Sequence, residues 1–371
     1  MRISKPIGAF AASVLMIGSL AVGAQAAGAS PHTLYVGLSH CSATGPGTAK
    51  VPYCTISEAV NAATPGMVIQ IAAGTYSEQV VISGTGKNNL TLDGDNWNDT
   101  VISAPAVLTA PTKSIVEVST ATGVTIENLK ITGPGSGGCD SLEYGVRVDT
   151  FGQANILNDR IANIADSPLS GCQNGIGILV GRQLLNTSGS AVINGDIITG
   201  YQKGGIVVSN TGSDATILDN TVTGIGPTTV IAQNGIQISA GATARLANNV
   251  VKGNVYTGTQ NAASAGILLY SPGVVKLNGN IANSNDVDIW AISVTNSAFT
   301  TNVANKGTYN GIYVDPDSTG NTFRNNSAHG TTGSGNYDLQ DDSRDAGTAG
   351  TANTWQGNDC GTAEPLGICV H

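Results

Sequence analysis

An eight-residue pattern that recurs along most of the chain constrains the fold more than any other feature. Its clearest copy spans residues 217–224 and reads Ile-Leu-Asp-Asn-Thr-Val-Thr-Gly. The first position is apolar in nine copies: Ile126, Ile156, Ile193, Ile217, Leu246, Leu277, Phe299, Phe323 and Trp355. The fourth position is held by Leu129, Asp159, Asp196, Asn220, Asn249, Asn280, Asn302, Asn326 and Asn358. Apolar residues followed by Asn and Gly are typical of a short strand that ends in a tight turn.

A second repeat predicts how these strands are arranged. Gly followed by alternating apolar residues begins at regular intervals of 30 residues and then after 31, at Gly145, Gly175, Gly205, Gly235 and Gly266. Shorter intervals lead on to Val287, Ile312 and Tyr337. A period of about 20–30 residues with short strands and little helical signal is typical of a solenoid. Strands that meet again one turn later stack in parallel, so we predict an all-β parallel β-helix of about ten rungs over residues 67–340.

The fourth-position asparagines have a structural explanation in such a coil. Stacked side-chain amides hydrogen-bond from one rung to the next. Asn and Gly also tolerate the left-handed backbone that a sharp corner needs. We therefore expect the apolar positions to fill the bore and the Asn column to hold one corner of every rung.

Both ends of the solenoid need a cover, because an open end exposes apolar bore and unpaired backbone. Thr55-Ile56-Ser57-Glu58 forms a capping box, and apolar residues follow at helical spacing until Pro65. We predict an entry segment over 27–66 with a short capping helix at 55–63. Residues 341–371, which contain Trp355 and two cysteines, form the predicted C-terminal cap.

The N-terminus and the charge restrict where the chain acts. Residues 1–26 combine Arg2 and Lys5, an apolar run and the small-x-small sequence Ala24-Gln25-Ala26, which predicts a signal peptide and secretion. No later apolar stretch could cross a bilayer, so we expect a protein that is not membrane-embedded. We also expect a monomer. The net charge is −9, the pI is about 4.7, and no basic tract occurs, which argues against a nucleic-acid partner.

Six cysteines in an exported chain favour disulfides. Six allow fifteen pairings, but their spacing suggests three local pairs: Cys41 with Cys54, Cys139 with Cys172, and Cys360 with Cys369. Cys139 and Cys172 precede equivalent glycines of adjacent repeats, so stacking would make their loops neighbours. The alternatives are free buried thiols or a metal site, although the spacings of a zinc site are absent.

The segment 56–82, with its Ala-Ala-Gly-Thr-Tyr turn at 72–76, and the Asn-Gly-Ile and Asn-x-x-x-Gly repeats that follow it resemble the pectin-lyase-like right-handed parallel β-helix proteins. The resemblance covers nearly the whole mature chain. That family includes polysaccharide lyases, polygalacturonases, pectin esterases, alginate epimerases and phage tailspikes. The polygalacturonase motifs are missing here, and the sequence Asp-Pro-Asp-Ser at 315–318 lacks the His of the epimerase motif Asp-Pro-His-Asp. The resemblance therefore implies the fold and leaves the reaction open.

Strand alternation predicts which side chains point away from the bore. We expect two outward columns: Arg147, Gly177, Val207, Gln237, Leu268, Asp288, Tyr313 and Asp338, and Asp149, Leu179, Ser209, Ser239, Tyr270, Trp290, Asp315 and Gln340. The last four rungs combine aromatic rings with carboxylates. Rings that stack on sugar faces beside hydrogen-bonding carboxylates are typical of a sugar-binding cleft.

These columns give the candidate site residues. We predict that Tyr270, Trp290, Tyr313 and Arg147 bind substrate and that Asp288, Asp315 and Asp338 are the candidate catalytic carboxylates. A solvated face is the alternative. No metal site has a recognisable ligand spacing, but Ca²⁺ is possible among five carboxylates: Asp315, Asp317, Asp338, Asp341 and Asp342.

A second candidate cluster contains Glu143, Arg147, Asp149 and Asp166, in which Arg147 binds a uronate or simply forms an ion pair. Taken together, we predict a secreted protein that binds or processes extracellular polysaccharide. An enzyme of this kind would be a polysaccharide lyase or glycoside hydrolase. The alternative function is a non-catalytic structural or adhesive protein of the cell surface or matrix.

Overall fold

The structure is a computed structural model that describes residues 32–109 and 113–370. The predicted signal peptide at 1–26 lies outside the described residues. In the described residues, the backbone passes through three sheets in the same order in every coil, and every pairing between neighbouring strands is parallel. This is the parallel β-helix that the repeat predicts.

Sheet 1 contains twelve strands: Thr33–Val36, Val68–Ile71, Thr91–Gly94, Val124–Glu127, Gln153–Leu157, Ser190–Asn194, Asp214–Leu218, Thr243–Ala247, Val275–Asn278, Ala298–Thr300, Thr322–Arg324 and Thr354–Gln356. Sheet 2 contains eleven: Gly74–Ser77, Thr100–Ser103, Lys130–Thr132, Arg160–Ala162, Ile197–Thr199, Thr221–Thr228, Val250–Tyr256, Ile281–Asn283, Val303–Asn305, Ser327–His329 and Asp359–Cys360. Sheet 3 also contains eleven: Val80–Ser83, Ser114–Ser119, Tyr144–Asp149, Ile176–Val180, Gly204–Ser209, Asn234–Ser239, Ala265–Tyr270, Val287–Ile292, Asn310–Val314, Leu339–Asp341 and Ala363–Glu364. Short 3₁₀ turns lie at Thr85–Lys87, Gln183–Leu185 and Thr348–Gly350.

The eight-residue pattern forms the corner between sheets 1 and 2. All nine first positions pair in one column of sheet 1 and fill the bore. The column ends in an aromatic stack, with ring centroids 4.3 Å apart for Phe299 and Phe323 and 4.0 Å apart for Phe323 and Trp355. Dispersion and burial along this column stabilise the coil.

The asparagine ladder is confirmed. Asn220 Nδ2 donates to Asn249 Oδ1 at 2.9 Å, and the same bond recurs through the Asn column to Asn358. The residue just before each ladder position has a positive φ, for example 60° at Asn128 and 55° at Asp219. The left-handed backbone turns the corner, and the ladder satisfies its polar groups.

The capping helix runs over Ile56–Ala62, with the predicted capping box between Thr55 and Glu58. Its buried side chains, Ile56, Ala59 and Val60, belong to the same apolar core as the first coil. All three predicted disulfides are confirmed: Cys41–Cys54, Cys139–Cys172 and Cys360–Cys369. Among the described residues, no helix is both long and apolar enough to cross a membrane.

The sheets extend beyond the limits 67–340 that the repeat spacing suggests. Thr33–Val36 pairs with Val68–Ile71 from within the entry segment. Thr354–Gln356, Asp359–Cys360 and Ala363–Glu364 add a further coil within the segment assigned to the cap. That last coil is preceded by a long connection over 342–353, which hides its place in the repeat.

Candidate functional site

Four outward side chains lie next to each other on the late strands of sheet 3. The pairing aligns Leu268 with Trp290, Trp290 with Tyr313, and Tyr313 with Gln340. The rings of Trp290 and Tyr313 have centroids 6.2 Å apart and are tilted by 53°. Leu268, Trp290 and Tyr313 therefore form an apolar strip on the outside of sheet 3, in which two of the three side chains are aromatic.

A cavity of about 410 Å³ lies over this aromatic pair. Its lining consists of Trp290 and Tyr313 together with Asn261, Ala262, Ala263, Val287, Tyr309, Asn310 and Asn336. Most of the remaining lining comes from three segments that connect sheet 2 to sheet 3, over 257–264, 306–309 and 330–338. The connections over 257–264 and 330–338 are the longest of the three and supply Asn261, Ala262, Ala263 and Asn336 to the lining.

The polar groups at one side of the cavity form a fixed network. Asn310 Nδ2 donates to Gln340 Oε1 at 2.9 Å, Gln340 Nε2 donates to Asp342 Oδ1 at 3.0 Å, and Tyr313 Oη donates to Asp342 Oδ2 at 2.9 Å. Burial, followed by the hydrogen bond to Asp342 and the charges of Asp342 and Asp315, raises the pKa of Tyr313. The phenol therefore remains a neutral donor, and its ring is held in one orientation.

Trp290 supplies a donor that the fold leaves unused. Its side chain is partly exposed, but Nε1 is buried and has no hydrogen-bond partner among the described residues. An unsatisfied buried donor costs about 1–3 kcal/mol.

Two of the three candidate catalytic carboxylates do not lie on the outward face, and that prediction is wrong for both. Asp288 is fully buried, where it accepts from the backbone N and Nδ2 of Asn285, and burial raises its pKa well above the usual range. Asp338 is buried and accepts from the backbone amides of Thr331, Gly361 and Thr362. Both occupy the inward column of the sheet-3 glycines, whose carbonyls stack through Gly145, Gly177, Gly205, Gly235 and Gly266.

The predicted register misplaced them because the coils differ in length. Aligning Gly145 with Gly175 assigns Gly177 to the outward column, whereas the structure pairs Arg147 with Leu179 and puts Gly177 beside Gly145. The same two-residue error placed Asp288 beside Leu268 in the predicted outward column, whereas the structure pairs Leu268 with Trp290. A two-residue shift keeps the alternation of a strand, so hydrophobic pattern alone does not detect it.

The remaining candidates separate into three locations. Asp315 is partly exposed, beside Tyr313, and its Oδ1 accepts from Ser293 N and Ser318 Oγ. Tyr270 points outward and is 53% exposed, but it aligns with Ile292 and does not line the cavity.

Arg147 belongs to a different, buried cluster far along the coil. It is 3% exposed and forms an ion pair with Asp149, so the prediction that it faces a ligand on the surface is wrong. The guanidinium groups of Arg147 and Arg182 lie 5.7 and 5.6 Å from the ring centroid of Tyr144. Asp166 accepts instead from Ser141, Ser170 and Gln202. This cluster fastens loops to the sheet.

The five carboxylates considered for Ca²⁺ do not converge. Asp338 and Asp341 accept hydrogen bonds from their neighbours within the fold. Among the described residues, the one group of three metal-type ligands within 4.8 Å is Cys139, Asp140 and Cys172. Its two sulfurs are joined to each other, so it does not fit a resident ion.

The sequence analysis missed four residues that line the cavity: Asn261, Tyr309, Asn310 and Asn336. Asn310 was interpreted as part of an Asn-Gly-Ile repeat, and the others lie in connections without a pattern. A usable signal existed in the lengthened connection at 257–264, since long connections in a regular solenoid often carry function.

Comparison with known proteins agrees with the architecture. A family model described as the right-handed β-helix region matches residues 184–346, and a protein family of unknown function (DUF1565) matches residues 40–82. No curated protein matches the sequence significantly.

Solved structures of the same fold were also found. XylC, solved in complex with xylose, is 12% identical with a TM-score of 0.56, covering 80% of this chain and 69% of that one. The Dettilon tailspike protein is 14% identical with a TM-score of 0.54, covering 90% and 68%. The GH136 lacto-N-biosidase from Eubacterium ramulus is 13% identical with a TM-score of 0.52, covering 90% and 67%. At such identities the likeness shows the fold alone.

Proposed function

We propose that the cavity over Trp290 and Tyr313 binds a carbohydrate, because a ligand laid along one sheet of a parallel β-helix can contact several coils. The observation that carries the proposal is the pair of outward aromatic rings on adjacent coils, walled by asparagine amides. Aromatic rings stack on the apolar faces of sugars, and amides bond their hydroxyls. The xylose in the XylC structure and the sugar-cleaving activity named for the GH136 neighbour add circumstantial support.

The proposal predicts which side chains control affinity. We expect Trp290→Ala and Tyr313→Ala each to weaken binding of the best glycan about 10- to 100-fold, or ~1.4–2.7 kcal/mol, because each removes a stacking face. The measurement is a glycan-array screen of the full chain followed by calorimetry on the best ligand. Phe151→Ala is the matched control, since Phe151 is 76% exposed and lies outside the cavity.

Thermal melting of all three variants separates lost binding from lost folding. Equal loss of affinity in Phe151→Ala, or full affinity in both cavity variants, would exclude this cavity as the binding site.

Processing of the bound glycan is the second candidate activity, and the carboxylates beside Tyr313 favour it. Asp315 and Asp342 both act on the Tyr313 hydroxyl electrostatically, so both lie within range of a ligand stacked on its ring. Paired carboxylates are the groups that glycoside hydrolysis uses. Release of reducing or unsaturated ends that is lost in Asp315→Asn would establish cleavage. Binding with no product from any polymer would leave the non-catalytic, adhesive role.

We propose that the chain acts outside the cell. Three disulfides close loops in the entry segment, the middle coils and the C-terminal segment, and disulfides of this kind persist in oxidising compartments. The sequence at 24–26 predicts cleavage after Ala26. N-terminal sequencing of protein recovered from the culture medium should begin at Ala27. Recovery of uncleaved chain from the cytoplasm alone would contradict the proposal.

A further inference from the structure

The charges around the cavity are distributed unevenly. The outward column that contains Trp290 and Tyr313 continues through Gln340 to Glu364, and Asp315 and Asp342 flank the Tyr313 ring. Two carboxylates, Asp315 and Asp342, therefore lie beside the Tyr313 ring at the edge of the cavity, and Asp342 and Glu364 line a separate, neighbouring pocket.

No basic side chain balances them within the cavity. The lining contains no Lys, Arg or His. Residues 265–342 contain three Lys and Arg side chains in total. Lys276 and Arg324 lie on sheet 1, and Lys306 follows the sheet-2 strand Val303–Asn305. Arg344 lines the neighbouring pocket with Asp342 and Glu364, but it does not line the cavity and forms no ion pair within 4.0 Å in the described part of the chain.

The carboxylates are also held in place by the fold. Asp342 accepts from both Tyr313 and Gln340, and Asp315 accepts from Ser293 and Ser318. Fixed like charges disfavour an anionic ligand, and the effect acts over a screening length of about 8 Å at physiological ionic strength. The uncharged amides of Asn261, Asn310 and Asn336, by contrast, suit hydroxyl groups.

We infer that the cavity selects uncharged sugar units and rejects uronic-acid units. The inference rests on the proposed carbohydrate binding and adds the chemical class of the ligand. It differs from a site for acidic polysaccharides, which requires basic side chains or a bound cation to neutralise each carboxylate.

The test compares the full chain on two sets of oligosaccharides of equal length. The neutral set is xylohexaose, cellohexaose and mannohexaose, and the acidic set is hexagalacturonate and hexamannuronate. We expect neutral binding at least tenfold tighter than acidic binding at low salt, and a smaller difference in 1 M NaCl because salt screens the repulsion. Each measurement is repeated with added Ca²⁺ and with a chelator.

Charge-neutral variants identify the source of the selectivity. Asp315→Asn and Asp342→Asn should each raise the acidic-to-neutral affinity ratio about two- to fivefold. Asp99→Asn, which removes the same charge from an exposed side chain near the N-terminal coils, should leave the ratio unchanged. Asp315→Asn is the more conservative change, since its Oδ1 is the atom that accepts both hydrogen bonds.

The possible results separate the two proposals. Acidic ligands that bind as tightly as neutral ones, with or without Ca²⁺, overturn the selectivity while the binding function stands. A ratio that moves equally in Asp99→Asn overturns the assignment to Asp315 and Asp342. Binding of neither set, with no difference between wild type and Trp290→Ala, overturns the proposed function and the inference with it.

Discussion

Two aspartates, Asp159 and Asp196, occupy the ladder positions before the first asparagine, and their chemistry differs from that of the amides. From Asn220 to Asn326, each ladder Asn donates through Nδ2 to the next Asn and to a backbone carbonyl, as Asn220 does to Asn249 and Ile193. Asp159 and Asp196 accept backbone amides through Oδ1, but their Oδ2 atoms are buried without a partner. Burial is the main reason that the pKa of each lies well above the usual range, and their mutual repulsion adds to it for Asp196.

The shift has a defined sign for stability. A carboxyl whose pKa is raised in the folded state contributes fully below its unfolded pKa, about 3.9, and that contribution is lost as the pH rises through the folded value. We expect Asp196→Asn to raise the free energy of unfolding at pH 8 by about 1–3 kcal/mol, because Nδ2 completes the ladder. The gain should shrink near pH 4. Urea unfolding at both pH values measures it.

Asp219→Asn is the matched control for that substitution. Asp219 occupies the exposed corner position of the same repeat, where it accepts from Asn248 Nδ2, so we expect a change within about 0.5 kcal/mol at either pH. A gain in Asp196→Asn that is the same at pH 4 and pH 8 would contradict the assignment of a raised pKa.

Asp288 ends a second internal ladder. The Tyr201 hydroxyl donates to Asn254, Asn254 donates to Asn285, and Asn285 donates to Asp288. We expect Asp288→Ala to lower stability by about 2–3 kcal/mol, because Asn285 loses the acceptor for two donors. Asp288→Asn keeps an acceptor oxygen at that place, so its stability should fall by less than that of Asp288→Ala. Urea midpoints of both variants test the structural role, and an unfolding curve of Asp288→Ala that matches wild type would refute it.

At the scale of elements, the capping helix depends on a residue outside it. Glu78 accepts from the amides of Ile56 and Ser57 at 2.8 and 2.9 Å, which places a carboxylate at the helix N-terminus. The helix has seven residues and is too short to persist alone. Its attachment to the first coil therefore combines this bond with the burial of its apolar face.

Removing the Glu78 carboxylate should weaken the attachment of the capping helix without unfolding the rest of the coil. We expect Glu78→Ala to lower stability by about 1–2 kcal/mol and to accelerate amide exchange over residues 55–63. Hydrogen exchange measured by mass spectrometry detects the region affected. Asp99 is an exposed carboxylate just before the sheet-2 strand Thr100–Ser103, so Asp99→Ala should leave amide exchange over 55–63 unchanged. Unchanged exchange in Glu78→Ala as well would show that packing alone holds the helix.

At the scale of the whole molecule, the last coil, over 354–364, covers the apolar end of the bore and the edges of the three sheets. Trp355 stacks on Phe323, and its Nε1 donates to Asp341 at 2.7 Å. A chain that ends after Arg344 lacks the last three strands and leaves Phe323 and three strand edges uncovered. We expect this chain to associate or aggregate, because unpaired edges pair with other chains. Size-exclusion chromatography against the full chain measures it, and a stable monomer would contradict the role of the last coil.

The sequence by itself determined the architecture, the ladder, the capping helix and the disulfide pairs. The architecture and the ladder follow from residues at fixed places within one repeat, and the capping helix follows from a capping box and apolar spacing within nine residues. The Cys41–Cys54 and Cys360–Cys369 pairs each close a short loop, and Cys139 and Cys172 precede equivalent glycines of adjacent repeats. The column from Ile126 to Trp355 pairs in the structure as its pattern predicts.

Only the tertiary structure decided the candidate site. Ladder partners are separated by as many as 37 residues at Asp159 and Asp196 and as few as 22 at Asn280 and Asn302, so no constant step aligns sheet 3. The register therefore determined that Trp290 lies beside Tyr313 on the outside, while Asp288 points into the core. The walls of the cavity come from connections whose course depends on neighbouring coils, and no repeat encodes that course.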